Sequence, residues 1–387
     1  QAFLILYMKK ILIILILISI VGCRNDQQKA DQATKFKIAD TLTITNPDNN
    51  HYMSFNSMVS GDTLIQMNYA NRNGFNLFNL KNKNFIREIN LESGGPKGVG
   101  LTQAFYYKSM DSLYLFNQTQ IVQIDDNKQI NKIFDVKGDY DKLWYPINVS
   151  NGSEGFSFDN KLFFGKKDFE KMTSNRYYQA DLLMSFDLTT KKRKQYNINF
   201  PDSYLDKCWQ MNQADFSYAK HLNDTGKVVF SFCANENLFI FDITKNKITS
   251  VKKLDYPGID EIESINCEDT KYPSRERQHY LEQPNFKYLI ADKHRNVYYR
   301  LIKKEINEAD AAKYKNQTRK ALYRSDYILQ VFDQEFQPIA QQELKSPNFL
   351  VHDFFVAKDG LYISLNNPLK ADFDENTLTY AKFSLKY

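Results

Sequence analysis

Histidine and tryptophan are scarce in this chain of 387 residues, which contains 5 His and 2 Trp. The histidines are scattered and no two have a metal-ligand spacing, so the sequence predicts no metal site and no cofactor. The GxSxG, HExxH, Walker A and GxGxxG motifs are missing as well, and no residue is therefore predicted to be catalytic.

An excess of positive charge is also lacking. The formal net charge is +5, and removing the segment that holds Lys9 and Lys10 and no acid leaves +3. Binding of nucleic acid requires Lys and Arg clustered on one face, so we expect no nucleic-acid partner.

Aromatic residues are abundant, with 29 Phe and 25 Tyr, whereas Gly and Pro are few. Hydrophobic residues make up 42% of the chain, enough to bury a sizeable core. Tyr, Phe, Ile and Thr favour the half-buried surface of a sheet, so the composition indicates a β-rich fold.

The N-terminus has the parts of a secretory signal. A basic segment, Met8–Lys10, is followed by eleven uncharged residues and then by Gly22-Cys23. This apolar stretch is shorter than the about 20 residues that span a bilayer. We interpret residues 1–23 as a signal peptide starting at Met8, residues 24–35 as a flexible tether, and residues 36–387 as one domain.

Residues Ile20–Cys23 resemble the bacterial lipobox. The resemblance implies a diacylglycerol on the Cys23 thiol, cleavage before Cys23 and acylation of its amine. Several acyl chains together anchor a protein durably. We therefore expect a lipid-anchored protein of the cell envelope, at the outer membrane, with its side of that membrane left open. The alternative is an ordinary signal peptide with a cysteine there by chance.

Three cysteines follow Cys23, and an odd number permits at most one disulfide among them. Cys233 lies in an apolar strand pattern and is interpreted as a buried small hydrophobic residue. Cys208 and Cys267 both lie in loops and are the better candidates for a disulfide.

A hairpin pattern recurs six times: an apolar strand, a tight polar turn and an aromatic-rich strand. The turns fall near residues 61, 110, 159, 224, 293 and 359, at intervals of 49 to 69 residues. Asp, Asn and Gly at these turns are typical of tight hairpins. A second hairpin follows most copies, most clearly at residues 239–248. Two hairpins per unit give four antiparallel strands, which is one propeller blade.

We therefore predict an all-β fold, a six-bladed β-propeller with four-stranded antiparallel blades. The last unit lacks a fourth strand, and we expect Phe36–Thr45 to pair with it and close the ring. Residues 303–323 are predicted to form a short helical insertion on the rim of the fifth blade. A β-sandwich, or two small β-domains, is the alternative.

A lipobox followed by these Tyr- and Phe-rich hairpins resembles the uncharacterised propeller lipoproteins of Bacteroidetes, a domain-of-unknown-function family of the TolB-like class. The resemblance covers nearly the whole mature chain. It implies a location in the envelope, and it supplies no activity and no functional residues.

Segments between the predicted blades provide the candidate binding residues, because loops at one face of a propeller surround its channel. Trp144, beside Tyr145, and Trp209 suggest a stacking surface, although each ring could instead pack between blades. Arg275, Arg277, His279 and Tyr280 form a second set.

That second set suits a carboxylate or sulfate held by forked hydrogen bonds. The alternative is that these residues lie in an exposed, salt-bridged loop.

The leading hypothesis is a binding or scaffold module for a glycan, peptide or protein partner at the channel face. The alternative is a polysaccharide-active hydrolase or lyase at the same face. We expect a monomer whose partners are the membrane, through its lipid, and an envelope ligand.

Overall fold

A computed structural model describes most of the chain after residue 35. The described residues are 36–45, 54–68, 73–95, 98–102, 104–109, 112–117, 120–125, 130–135, 153–166, 175–210, 212–224, 226–254, 256, 259, 262–314, 316 and 322–385. The predicted signal peptide with Cys23, the tether, and Trp144 with Tyr145 lie outside them.

The described residues are mainly β-strands, with a few short helices. The strands are β1 Phe36–Thr45, β2 Ser54–Ser60, β3 Thr63–Asn68, β4 Gly74–Asn79, β5 Asn84–Asn90, β6 Ala104–Ser109, β7 Ser112–Phe116, β8 Gln120–Ile124, β9 Ile130–Asp135, β10 Phe156–Phe158, β11 Lys161–Gly165, β12 Leu183–Asp187, β13 Arg193–Tyr196, β14 Phe216–Lys220, β15 Lys227–Phe232, β16 Leu238–Asp242, β17 Lys247–Lys252, β18 Asn285–Asp292, β19 Val297–Lys303, β20 Tyr327–Phe332, β21 Pro338–Leu344, β22 Leu350–Ala357, β23 Gly360–Ser364 and β24 Thr377–Leu385. The α-helices are α1 Asn175–Tyr178, α2 Pro273–Glu282 and α3 Glu308–Tyr314, and the 3-10 helices are Asp202–Tyr204 and Asp269–Lys271.

The fold is all-β, with a propeller-like arrangement of four-stranded sheets. Four sheets each consist of four consecutive antiparallel strands: β6–β9, β10–β13, β14–β17 and β18–β21. The other eight strands form one sheet in the order β2-β3-β4-β5-β1-β24-β23-β22. The prediction of six separate blades is therefore wrong, because the described residues form four.

Strand β1 is the reason for the eight-stranded sheet. It runs antiparallel along β24 from the pair Phe36–Leu385 to the pair Thr45–Thr377, which confirms the predicted pairing of this strand with the end of the chain. Thr45 also forms a parallel pair with Asn84 of β5, and this single pair joins the two halves of the sheet.

The aromatic residues form the core between neighbouring sheets. Phe75 of β4 contacts Phe105 of β6 with ring centroids 5.2 Å apart, and Phe116 of β7 contacts Phe164 of β11 at 5.7 Å. Within one sheet, β14, β15 and β16 are almost entirely buried, whereas the outermost strand β17 is largely exposed. Burial on both faces explains why the inner strands are apolar runs, without polar alternation.

The first strands of the sheets lie side by side around a common axis. Strand β2 contacts both β6 and β22, and β14 contacts β18. Strand β22, the first strand of the last unit, meets β2, where Ser57 Oγ lies 3.4 Å from Asp353 Oδ1. Residues of these strands that are not packed between sheets therefore face the axis.

Equivalent ends of neighbouring sheets lie together. Arg295, in the β18–β19 turn, donates to the backbone oxygens of Ala357 and Lys358 in the β22–β23 turn, at 2.9 and 3.0 Å. At the opposite end, the Phe286 amide donates to the Cys233 oxygen at 3.0 Å. We call the end at which β14, β18 and β22 begin the loop face; the connections carrying α2 and α3 lie there.

The predicted helical insertion contains helix in the part that the structure describes. Lys303, the first residue of the predicted segment, ends β19, whereas α3 spans Glu308–Tyr314 and residues 322–324 are helical as well. Helix α2, Pro273–Glu282, contains the predicted Arg, His and Tyr set, for which an exposed loop was the alternative. Pro273 favours a helix start because its ring fixes φ and a first-turn residue needs no intrahelical N–H bond.

Candidate functional site

Trp209 is a core residue. Its side chain is 2% exposed, and its ring lies 5.0 Å from that of Tyr204. The Tyr178 hydroxyl bonds to the backbone of Trp209. Trp209 therefore packs inside the fold, and its burial contradicts the prediction that it offers an accessible stacking surface.

Cys208 and Cys267 form a disulfide, with their Cα atoms 5.2 Å apart. The bond crosses 59 residues of sequence and joins the Trp209 segment to the residues before α2. Ile265 pairs with Cys208 as an isolated antiparallel bridge at the same place. Cys233 is a buried free cysteine. The disulfide thus fixes the connection that leads to α2.

Helix α2 brings only part of the predicted Arg, His and Tyr set together. Arg275 is exposed, pairs with Asp269 and stacks over the Tyr272 ring at 4.9 Å. Burial lowers the pKa of the half-buried His279, and the charge of the same Asp269 acts against this effect. Arg277 is half-buried, whereas Tyr280 is 1% exposed and faces the interior. Tyr280 therefore lies apart from Arg275, and the four residues do not converge on one anion.

Lys303 holds α2 onto the sheet. The side chain is fully buried, and its Nζ donates to the backbone oxygens of Leu281, Gln283 and Lys304 at 3.1, 2.8 and 2.9 Å. It also lies 5.3 Å from the centre of the Tyr280 ring. Burial lowers the pKa of Lys303 to about 7. The three acceptors favour the charged form, because only an ammonium group has three protons to donate.

The first strands are irregular at the loop face. In β18 the pairing passes from Phe286 to Tyr288 and omits Lys287, and in β22 it passes from Leu350 to Phe354. Strand β2 has a similar shift near its start. Bulges of this kind redirect side chains and are common beside functional sites. Lys287, His352 and Asp353 all lie in these irregular stretches.

Lys287 lies in a group of aromatic residues that we call the Lys287 cluster: Tyr280, Lys287, Tyr288, Tyr327 and His352. The Lys287 Nζ is 5.8 Å from the centre of the Tyr288 ring. The Tyr288 hydroxyl and His352 Nδ1 are 2.9 Å apart, and the rings of Tyr327 and His352 are 6.2 Å apart. The cluster therefore joins the first strands of two neighbouring sheets at the loop face.

The cluster carries a positive charge at neutral pH. Burial lowers the pKa of Lys287, but Tyr280, Tyr288, Cys233 and Asp215 together hold it well above its ordinary value. Burial and the Lys287 charge lower the pKa of His352 to about 3, so its imidazole is neutral.

The Asp215 carboxylate opposes the charge of Lys287 and raises its pKa. Burial raises the pKa of Tyr288 to about 12, so this hydroxyl is neutral. A half-buried ammonium beside neutral tyrosine and imidazole groups favours an anionic ligand, because association replaces lost hydration with a charge-assisted bond.

Two more lysines lie at the end of the axis opposite the loop face. Burial lowers the pKa of Lys220, the last residue of β14, and the charge of Lys293 in the β18–β19 turn lowers it further. Lys220 and Lys293 therefore do not belong to the Lys287 cluster. Within the described residues, no group of His, Cys, Asp and Glu side chains is arranged to hold a metal ion.

No sequence pattern indicates Lys287 or His352 as a candidate site residue. The two residues are 65 positions apart, and their proximity depends on two adjacent first strands. The bulge that exposes Lys287 depends on pairing with β19, which no local pattern reveals.

Residues 31–340 match the family described as domain of unknown function DUF4221. The chain belongs to this family. A crystal structure of a DUF4221 member from Bacteroides vulgatus is similar, with a TM-score of 0.77 and 17% identity, over 91% of this chain and 98% of the other. A Bacteroides fragilis protein described as exported has a TM-score of 0.54 and 11% identity, over 92% of this chain and 96% of the other.

At these identities the two structures support the fold of this DUF4221 protein and nothing finer. No curated protein matches its sequence. In the part of the chain that the structure describes, no helix is both long and apolar enough to cross a membrane.

Proposed function

We propose that this DUF4221 protein is a lipid-anchored binding module of the cell envelope. Its ligand is a glycan, peptide or protein that presents a carboxylate, sulfate or phosphate group to the loop face. The observation that carries the proposal is Lys287, a charged residue on a bulged first strand, surrounded by aromatic rings at the loop face.

The envelope location rests on the N-terminal sequence. The lipobox-like residues ending at Cys23 supply a lipid attachment point after a secretory signal. The Bacteroides fragilis neighbour described as exported is consistent with that address. In this proposal the protein acts as a monomer held at the outer membrane.

The first test is Lys287→Met, which keeps the length of the side chain and removes its charge. Lys81→Met, in the exposed β4–β5 turn, is the matched control. Affinity for acidic glycans, by calorimetry at low and moderate salt, should fall at least tenfold in Lys287→Met and stay unchanged in the control. Equal affinity of wild type and Lys287→Met for every acidic ligand would refute the proposed site.

The pair Tyr288 and His352 supports a second candidate, a polysaccharide lyase acting on uronic acids. In that reaction the substrate carboxylate neutralises Lys287 and so removes one of the two causes that lower the pKa of His352. The imidazole then takes the proton from the carbon beside the carboxylate. The C–O bond on the next carbon breaks, a C=C bond forms, and the Tyr288 hydroxyl gives its proton to the leaving oxygen.

An increase in ultraviolet absorbance, from the unsaturated product, reports this elimination. The lyase candidate predicts turnover of a uronate polysaccharide that is lost in His352→Gln. Binding without turnover by wild-type protein would exclude the lyase and leave the binding module in place.

A further inference from the structure

A cavity lies away from the axis, between the sheet β10–β13 and the sheet β14–β17. Its volume is about 490 Å³, within the range of small-molecule sites. Its lining includes Tyr178, Phe200 and Phe239, which are 0%, 5% and 8% exposed and pack into the core beneath the cavity. The accessible apolar lining comes from Ile248, which is 39% exposed, and from the half-buried Leu205.

Unused amide groups line the rim of the cavity. Gln179 and Asn197 are exposed, and neither side chain forms a hydrogen bond within the described part of the protein. Asn199 donates through Nδ2 to the Gln179 backbone oxygen at 2.6 Å, and its side-chain oxygen has no described protein donor. Each amide offers hydrogen-bonding capacity that a ligand can use.

The backbone around the rim is already occupied. The Asn197 amide donates to Asn246 Oδ1 at 3.0 Å, and the Phe200 amide donates to the Tyr178 oxygen at 3.1 Å. An extended peptide that adds to a sheet edge needs free backbone donors and acceptors. The available groups are side-chain amides, which suit hydroxyl groups better than a peptide backbone.

The lining carries no net formal charge. Asp202 supplies one carboxylate and Lys247 supplies one ammonium group. The cavity therefore differs from the Lys287 cluster, where the ammonium group lies among neutral aromatic side chains.

We propose that this cavity is a binding site for a neutral saccharide. The rim amides of Gln179, Asn197 and Asn199 hydrogen-bond sugar hydroxyls. The accessible apolar side chains of Ile248 and Leu205 pack against the apolar C–H face of a sugar ring. The site is independent of the proposed anion site at the loop face.

The test uses the double variant Gln179→Ala/Asn197→Ala, which removes two exposed side chains with no described internal bonds. Gln341→Ala, an exposed amide on β21, is the matched control. Maltose, cellobiose, lactose and N,N′-diacetylchitobiose are titrated by ligand-observed saturation-transfer NMR, with glucuronic acid as the charged comparison. Circular dichroism checks that every variant is folded.

We expect at least one neutral disaccharide to bind wild-type protein and Gln341→Ala equally. Loss of two hydrogen bonds should weaken its binding to the double variant by at least about tenfold. Ile248→Ser, which removes accessible apolar surface from the lining, should weaken binding as well. No neutral sugar bound by wild type, binding unchanged in the double variant, or binding of glucuronic acid alone would each overturn the proposal.

Discussion

Replacing Asp353 by Asn should change how the stability of this protein depends on pH. The Asp353 carboxylate is 1% exposed, between β22 and the strands β2 and β3. It accepts from the Tyr380 hydroxyl at 2.9 Å and lies 3.4 Å from both Ser57 Oγ and Gln66 Nε2. Burial raises its pKa to about 7, and these hydrogen bonds only partly offset that effect.

The sign and size of the effect follow from this pKa. An unfolded Asp has a pKa of about 3.9, so between about pH 4 and pH 7 the folded state binds more protons than the unfolded state. Stability from this group is therefore lost as the pH rises through that window. Three pKa units correspond to about 4 kcal/mol of unfolding free energy.

The assay is urea denaturation of wild type and Asp353→Asn at pH 4, 6 and 8. The amide must donate to a Tyr380 hydroxyl that already accepts from Gln66 Nε2 at 2.8 Å, which adds a cost of about 1 kcal/mol at every pH. The free energy of unfolding of the variant, relative to wild type, should rise by about 4 kcal/mol from pH 4 to pH 8.

The control is Asp62→Asn, which removes an exposed carboxylate in the β2–β3 turn. This control tests whether the loss of an exposed acidic group also changes the pH dependence of the unfolding free energy. A difference between Asp353→Asn and wild type that stays constant from pH 4 to pH 8 would refute the reasoning.

Two further predictions test other parts of the structure. Cys208→Ser/Cys267→Ser should lower the free energy of unfolding by about 4 kcal/mol, as expected for opening a loop of 59 residues, and reductant should destabilise only wild type in the same urea titration. Lys303→Met should cost about 3 kcal/mol by leaving three carbonyl groups without their donor, and protection of α2 amides from hydrogen exchange should fall; unchanged protection would contradict the role of Lys303.

Local patterns predicted the strands well, because each hairpin is specified by neighbouring residues. The turns expected near residues 61, 159 and 293 lie between β2 and β3, β10 and β11, and β18 and β19. The pairing of Phe36–Thr45 with the end of the chain followed from counting strands. The single pair Thr45–Asn84, which merges two sheets, leaves no pattern in sequence.

The candidate site was harder to predict than the fold. Trp209 was selected because tryptophan is rare, but rarity does not distinguish a buried ring from an exposed one. Arg275 and Tyr280 are close in sequence, yet a helix separates their environments. Lys287 depends on a bulge and on a neighbouring sheet, and both are set by tertiary contacts.

The course of β1 bears on how the molecule would stand at a membrane. Phe36 pairs with Leu385, and Thr45 pairs with Thr377, where β24 starts after its long connection from β23. Phe36 therefore enters from the side opposite the loop face. If acyl chains hold residue 23 at a bilayer, as proposed, the tether would reach the underside of the ring and leave Lys287 directed outward, towards incoming ligands.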